Sequence, residues 1–216
     1  MKSNLMMKWL RTSTYRLTQW FVRITSWLLF RMRSTGQSEI PTQGGALLCA
    51  NHQSFFDPVL IGSFCPRSMN YVARETLFEV PVLRGLMHWY NAIPIQRDGI
   101  GIGGIKETLK RLKKQEMVLI FPEGTRTTNG DVGKIKSGFC ALARRGKVPI
   151  VPVGLDGAYH AWPKDQKYPW FARMAVCYGN PISVETIASL DDDQLVDLLQ
   201  QRIVECFQKA RSMSGR

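Results

Sequence analysis

Apolar positions follow two different rhythms along the chain, a helical one near the start and short unbroken runs from residue 46 onward. Leu17, Trp20, Phe21, Ile24, Trp27 and Leu28 stand at i, i+3, i+4, i+7, i+10 and i+11, with Arg16, Gln19, Arg23 and Ser26 on the other side. That spacing predicts an amphipathic helix. Further on, residues 46–50, 69–73, 92–95, 117–121, 148–153 and 174–178 read as strands, the fifth broken by Pro149 and Pro152. Between them residues 57–64, 82–90, 105–114 and 136–145 read as helices. Asp57 is expected at the cap of the first of these, with Pro58 at its first helical position. A last helix opens at Asp191-Asp192-Asp193 and keeps Leu195, Leu198, Leu199, Ile203 and Phe207 on one face. Strands alternating with helices predict an α/β fold: a single domain with a mixed, largely parallel sheet flanked by helices, over residues 41–216. Residues 1–40 form the helical segment and a linker before it.

Charge changes the reading of that first segment. The chain of 216 residues carries a net charge of +12, and residues 1–33 hold seven Lys/Arg and no acid, leaving 22 basic against 17 acidic elsewhere. An anionic partner is therefore expected at the N-terminal segment. Residues 17–30 span roughly 21 Å as a helix, short of a hydrocarbon core of about 30 Å. The segment also lacks the long apolar region and small-residue site of a cleaved signal. Tryptophans at 9, 20 and 27 suit a helix lying in the headgroup layer of an anionic membrane surface; the alternative is an ordinary helix packing its stripe on the core. No nucleic-acid module motif is present, and nucleic acid is not expected as a partner. The five cysteines form no Cys-x-x-Cys pair, so reduced thiols in a cytoplasmic setting are expected and no metal site is.

Candidate chemistry concentrates in two strings, Asn51-His52-Gln53-Ser54-Phe55-Phe56-Asp57 and Phe121-Pro122-Glu123-Gly124-Thr125-Arg126, each following an apolar run. An imidazole with a carboxylate partner serves as a general base near neutral pH. The strand-to-helix turn at His52 lies where open α/β sheets hold ligands. A third string, Gly99-x-Gly101-x-x-Gly104, follows a strand and precedes a helix. It keeps open a dinucleotide-binding oxidoreductase, with Glu123 where a ribose-binding acid would fall.

Taken together, the blocks Asn51 to Asp57, Ala92 to Arg97, Phe121 to Arg126 and Val151-Pro152-Val153 resemble, in that order, the marks of the glycerolipid acyltransferases, the lysophosphatidic acid acyltransferases and their relatives. The resemblance covers roughly residues 45–155. It departs at Asn91, where the family usually has glycine, and at Gln96, where Asp is frequent. It implies transfer of a fatty acyl group from a thioester, acyl-CoA or acyl carrier protein, to the hydroxyl of a lysophosphatidic acid-type acceptor, with no further cofactor. His52 would be the base and Asp57 its orienting carboxylate. Arg97, Arg126 and Lys136 would face the acceptor phosphate. Glu123 would orient an arginine or hydrogen-bond the glycerol hydroxyl, with Gly124 admitting substrate to the backbone and Thr125 adding a hydroxyl. Ser54 reads as a loop hydrogen bonder. Glycerol 3-phosphate or another lysolipid remains an alternative acceptor, and an idle lipid-binding protein an alternative role. The cytoplasmic face of the cell membrane is the expected location.

Overall fold

Strands buried on both faces carry near-continuous apolar runs because helices must cover each side of a parallel sheet. The computed structural model describes residues 2–74, 92–95 and 101–216 and has this arrangement. Its elements are α1 (Lys2–Phe30), β1 (Arg33–Thr35), β2 (Ala46–Ala50), α2 (Asp57–Phe64), β3 (Met69–Arg74), β4 (Ile93–Ile95), α3 (Ile102–Lys113), β5 (Met117–Ile120), α4 (Gly138–Gly146), β6 (Ile150–Asp156), α5 (Ala158–Ala161), β7 (Ala175–Tyr178), α6 (Val184–Ser189) and α7 (Asp192–Ser214). The helix expected over 82–90 lies outside the described residues.

The seven strands form one sheet in the order β1-β7-β6-β2-β5-β3-β4. Every neighbouring pair is parallel except β6 with β7, so the sheet is mixed and largely parallel. The two-residue period of the strands sorts the core. Ala46, Leu48, Ala50, Met117 and Leu119 face one side with Leu60 and Ile61 of α2. Leu47, Cys49, Val118 and Ile120 face the other with Leu112 of α3, Phe139 and Leu142 of α4, and Leu195, Leu199 and Ile203 of α7. Asp191 caps α7 in a capping box with Gln194, as the run of aspartates predicts.

Two features depart from the sequence expectation. Residues 33–35, expected as linker, add β1 to the sheet beside β7; three residues are too few to leave a period. β6 runs on through Pro152 to Asp156. The carbonyl of Pro152 accepts from Gly179 N–H at 2.9 Å, and a residue's N–H points the same way as its C=O in a strand, so the missing donor faces a point just past the end of β7 and no bond to β2 is lost.

For α1, the alternative of a stripe packed on the core is the one that the structure does not have. Its apolar stripe faces away from the protein: Leu17, Trp20, Phe21, Trp27 and Leu28 are each 63–66% exposed. The opposite, polar side packs on α2. Gln19 donates to the carbonyls of Gly62 and Cys65 at 2.8 and 3.1 Å, Arg23 donates to the carbonyl of Ser63 at 2.5 Å, and Ser26 is buried. The last carbonyls of a helix lack internal partners, and α1 supplies them with donors. The stripe does not cover the core. Among the described residues no helix is long and apolar enough to cross a membrane.

Candidate active site

β2 and β5 run parallel in register, Cys49 opposite Ile120, so their C-terminal ends release the His52 loop and the Phe121 loop side by side. Two hydrogen bonds then join the loops through the backbone of His52. Its N–H donates to Oε1 of Glu123 at 3.0 Å, and its carbonyl accepts from Thr127 N–H at 2.8 Å. The two strings, 71 residues apart, thus form one structure.

The imidazole of His52 stacks on Phe121, centroids 4.0 Å apart and planes at 17°. Its Nδ1 lies 2.7 Å from Oδ2 of Asp57, which is fully buried, while the His52 side chain keeps 21% exposure. A neutral imidazole donating Nδ1–H to the carboxylate carries its lone pair on Nε2, and that nitrogen is the one free to meet a hydroxyl. Asp57 was expected to cap α2; it begins the helix, but Oδ2 turns back to accept the N–H groups of Gln53 and Ser54 as well as the ring. The cap position falls to Phe56, with no side-chain cap bond. Ser54 is buried with Oγ donating to the carbonyl of Trp162 at 2.8 Å, a loop hydrogen bond as expected.

Glu123 turns its carboxylate toward the backbone. The residue is 5% exposed and its carboxylate accepts from the N–H groups of His52 and Gly133. Burial pushes its pKa up to about 7, with those two hydrogen bonds opposing the rise and the charge of Asp57 adding to it. Glu123 therefore braces the histidine loop.

Gly124 has φ of +75°, the left-handed backbone that favours glycine, and a Cβ there would come within 3.2 Å of Nζ of Lys136, which would have to give by a few tenths of an ångström. Lys136 is held there by its N–H, which donates to the carbonyl of Pro122 at 2.9 Å. The Arg126 guanidinium sits 3.7 Å above the ring of Phe55. Thr125 is exposed at the turn. His52, Asp57, Glu123, Gly124, Thr125, Arg126 and Lys136 are thus brought to one strand-end region, while Arg97 lies outside the described residues.

Some residues that hold the site have no role assigned to them by the sequence, although two of them stand in the Asn51–Asp57 string. Asn51 ties β2 to β6 by donating to the carbonyl of Leu155 and accepting its N–H, at 2.9 and 2.8 Å. Gln53 donates to Gly130 at 2.6 Å and accepts from Tyr159 N–H at 3.2 Å. Thr127 is buried, with Oγ1 accepting N–H groups of Asn129 and Gly130. The partners of Asn51 and Gln53, and the His52 carbonyl that the Thr127 N–H meets, lie far along the chain, where no local pattern points.

An imidazole–carboxylate dyad and a basic, glycine-containing turn thus meet at adjoining strand ends. The family model for the acyltransferases matches residues 31–156, and the chain belongs to that family. Among its relatives is a 1-acyl-sn-glycerol-3-phosphate acyltransferase of Bacillus subtilis, 29% identical over 178 residues, covering 80% of this chain and 86% of that protein. A protein of the same name from Cocos nucifera is 28% identical over 205 residues, 90% of this chain, which spans 66% of that protein's length. In fold the chain is similar to the crystal structure of the 1-acyl-sn-glycerophosphate acyltransferase PlsC of Thermotoga maritima, with TM-score 0.80, 23% identity, and coverage of 95% of this chain and 82% of that one.

The dinucleotide reading does not survive. Gly101 and Gly104 belong to the start of α3, which follows the edge strand β4, whereas a pyrophosphate-binding turn follows an inner strand at the switch point of its sheet. Glu123, the candidate ribose ligand, is occupied by His52 N–H.

Proposed function

We propose that the protein transfers a fatty acyl group from an acyl thioester to the free hydroxyl of 1-acylglycerol 3-phosphate, giving phosphatidic acid in phospholipid biosynthesis. The observation that carries this reading is the His52–Asp57 contact of 2.7 Å at the joined strand ends of a chain in the acyltransferase family. The acceptor hydroxyl gives its proton to Nε2 of His52 as its oxygen attacks the thioester carbonyl. Asp57 stabilises the imidazolium that forms. Collapse of the tetrahedral adduct breaks the carbon–sulfur bond, and the imidazolium returns the proton to the departing thiolate. No covalent acyl-enzyme is needed. Lys136 and Arg126, with Arg97, supply cations for the acceptor phosphate. The donor is acyl-CoA or acyl carrier protein.

Both substrates carry acyl chains, and the outward stripe of α1 gives the site a route to them. A helix with apolar residues turned from the protein and seven cations in its vicinity lies in the headgroup layer of an anionic leaflet, at the cytoplasmic face of the cell membrane. The test of the reaction is an acceptor panel read by release of free thiol. Lysophosphatidic acid is expected to give the highest kcat/KM, above glycerol 3-phosphate and lysophosphatidylcholine; preference for either of those two, or for a monoacylglycerol without a phosphate, would overturn the assignment.

A further inference from the structure

A second aromatic surface lies apart from α1, on the segment joining α5 to β7. Tyr168, Trp170 and Phe171 are 67–70% exposed, three large rings within four positions that the core does not use. Single exposed apolar residues are ordinary, but a cluster marks a contact surface. The segment is folded: Trp170 N–H donates to the carbonyl of Ala161 at 2.7 Å, and the Trp162 indole donates to the carbonyl of Gln166 at 2.9 Å.

Its surroundings identify the partner. Lys164, Lys167 and Arg173 flank the rings against one acid, Asp165, and the Lys167 ammonium lies 5.3 Å from the Tyr168 centroid. Tryptophan and tyrosine beside lysine and arginine suit the boundary between anionic headgroups and acyl chains, where ring and cation are both satisfied. The segment is also continuous with α1. Met174 N–H donates to the carbonyl of Phe30 and Arg33 N–H to that of Met174, both at 3.1 Å, so the segment ends where the outward stripe of Trp27 and Leu28 ends. Inward, Trp162 contacts Phe55 and Phe56 at 5.6 and 5.0 Å, and Phe55 carries the Arg126 guanidinium.

We infer that the Tyr168–Phe171 segment is a second lipid contact, which inserts beside α1 into the interface of an anionic bilayer and sets the height and tilt at which the Phe55–Arg126 side of the site meets it. This rests on the membrane reading of α1. One anchor helix leaves the body free to roll about the helix axis; a second contact off that axis removes the freedom. The segment is a positioning element and takes no part in the chemistry.

The experiment uses the full chain and vesicles of equal parts phosphatidylcholine and phosphatidylglycerol. A variant with Tyr168→Ser, Trp170→Ser and Phe171→Ser is compared with one carrying Trp20→Ser, Phe21→Ser and Leu28→Ser. All five native cysteines are buried, so Asp165→Cys offers a selective position for an environment-sensitive fluorophore. The segment variant is expected to partition about tenfold more weakly than the parent, with unchanged melting. Its thiol release is expected to fall for acceptor embedded in vesicles and to hold for a monomeric short-chain lysophosphatidic acid. The label should shift to the blue only with vesicles. Unchanged partition of the segment variant, with a loss in the α1 variant, overturns this inference and leaves the α1 reading intact; unchanged partition of both overturns the two together. Equal losses on both acceptors, or a blue shift that grows with protein concentration without lipid, also overturn it, the latter by indicating self-association.

Discussion

Replacing Glu123 by Gln separates a brace from a substrate ligand. In the folded chain burial raises the carboxyl from 4.5 to about 7. A carboxyl raised on folding binds its proton more tightly in the native state, so the stability it contributes is complete below the unfolded value and is lost as pH rises from 4.5 through about 7. A shift of that size corresponds to about 3 kcal/mol. Gln keeps an oxygen for His52 N–H but turns an amide N–H₂ toward Gly133, a mismatch costing about 1–2 kcal/mol at every pH. The variant should therefore be less stable than the parent at pH 5, and equal or more stable at pH 8. Urea midpoints measured across that range test this directly. Parallel stability profiles for the two proteins would refute the buried, proton-retaining carboxyl. In activity, a brace predicts a lower kcat with little change in the acceptor KM, whereas a group bound to the glycerol hydroxyl predicts a raised KM.

Three further outcomes follow from the same geometry. Gly124→Ala meets both a left-handed backbone and Nζ of Lys136; it should cost about 1 kcal/mol in thermal or urea melts and raise KM for a phosphate-bearing acceptor more than for one without. Asp57→Asn should lower kcat by about 10²- to 10⁴-fold, in initial-rate assays by thiol release, because the amide neither fixes the tautomer nor balances the imidazolium. Asp156 accepts from Ser214 Oγ and from Nε and Nη2 of Arg216. Asp156→Ala should therefore lower stability by about 2–3 kcal/mol, the side exposure of Arg216 moderating the loss, while specific activity of the folded fraction is unchanged.

The sequence made the sheet legible because β2 and β5 are buried on both faces and read as unbroken apolar runs, and made α7 legible because one face and one cap agree. Three short elements escaped it: β1, α5 and α6 have three to six residues, too few for a period to emerge, and so the segment before residue 40 was read as linker. Spacing alone identified the stripe of α1 but not its direction. That was decided by the unsatisfied carbonyls at the end of α2, which only the tertiary arrangement brings within reach of Gln19 and Arg23. In the site, His52 and Asp57 were readable because their partnership is local. Glu123 was not, since its role depends on the neighbouring register of β2 and β5, which turns its carboxylate toward the His52 backbone. Asn51 and Thr127 act across similarly long stretches of chain.

The central claim is that Nε2 of His52 removes the acceptor's proton. Its most direct test is the release of free thiol by His52→Ala, with acyl thioester and lysophosphatidic acid supplied to a protein whose melting is shown to match the parent. The account predicts that release falls to the rate without enzyme, while the variant still binds vesicles as the parent does. Release at the parental rate would contradict it.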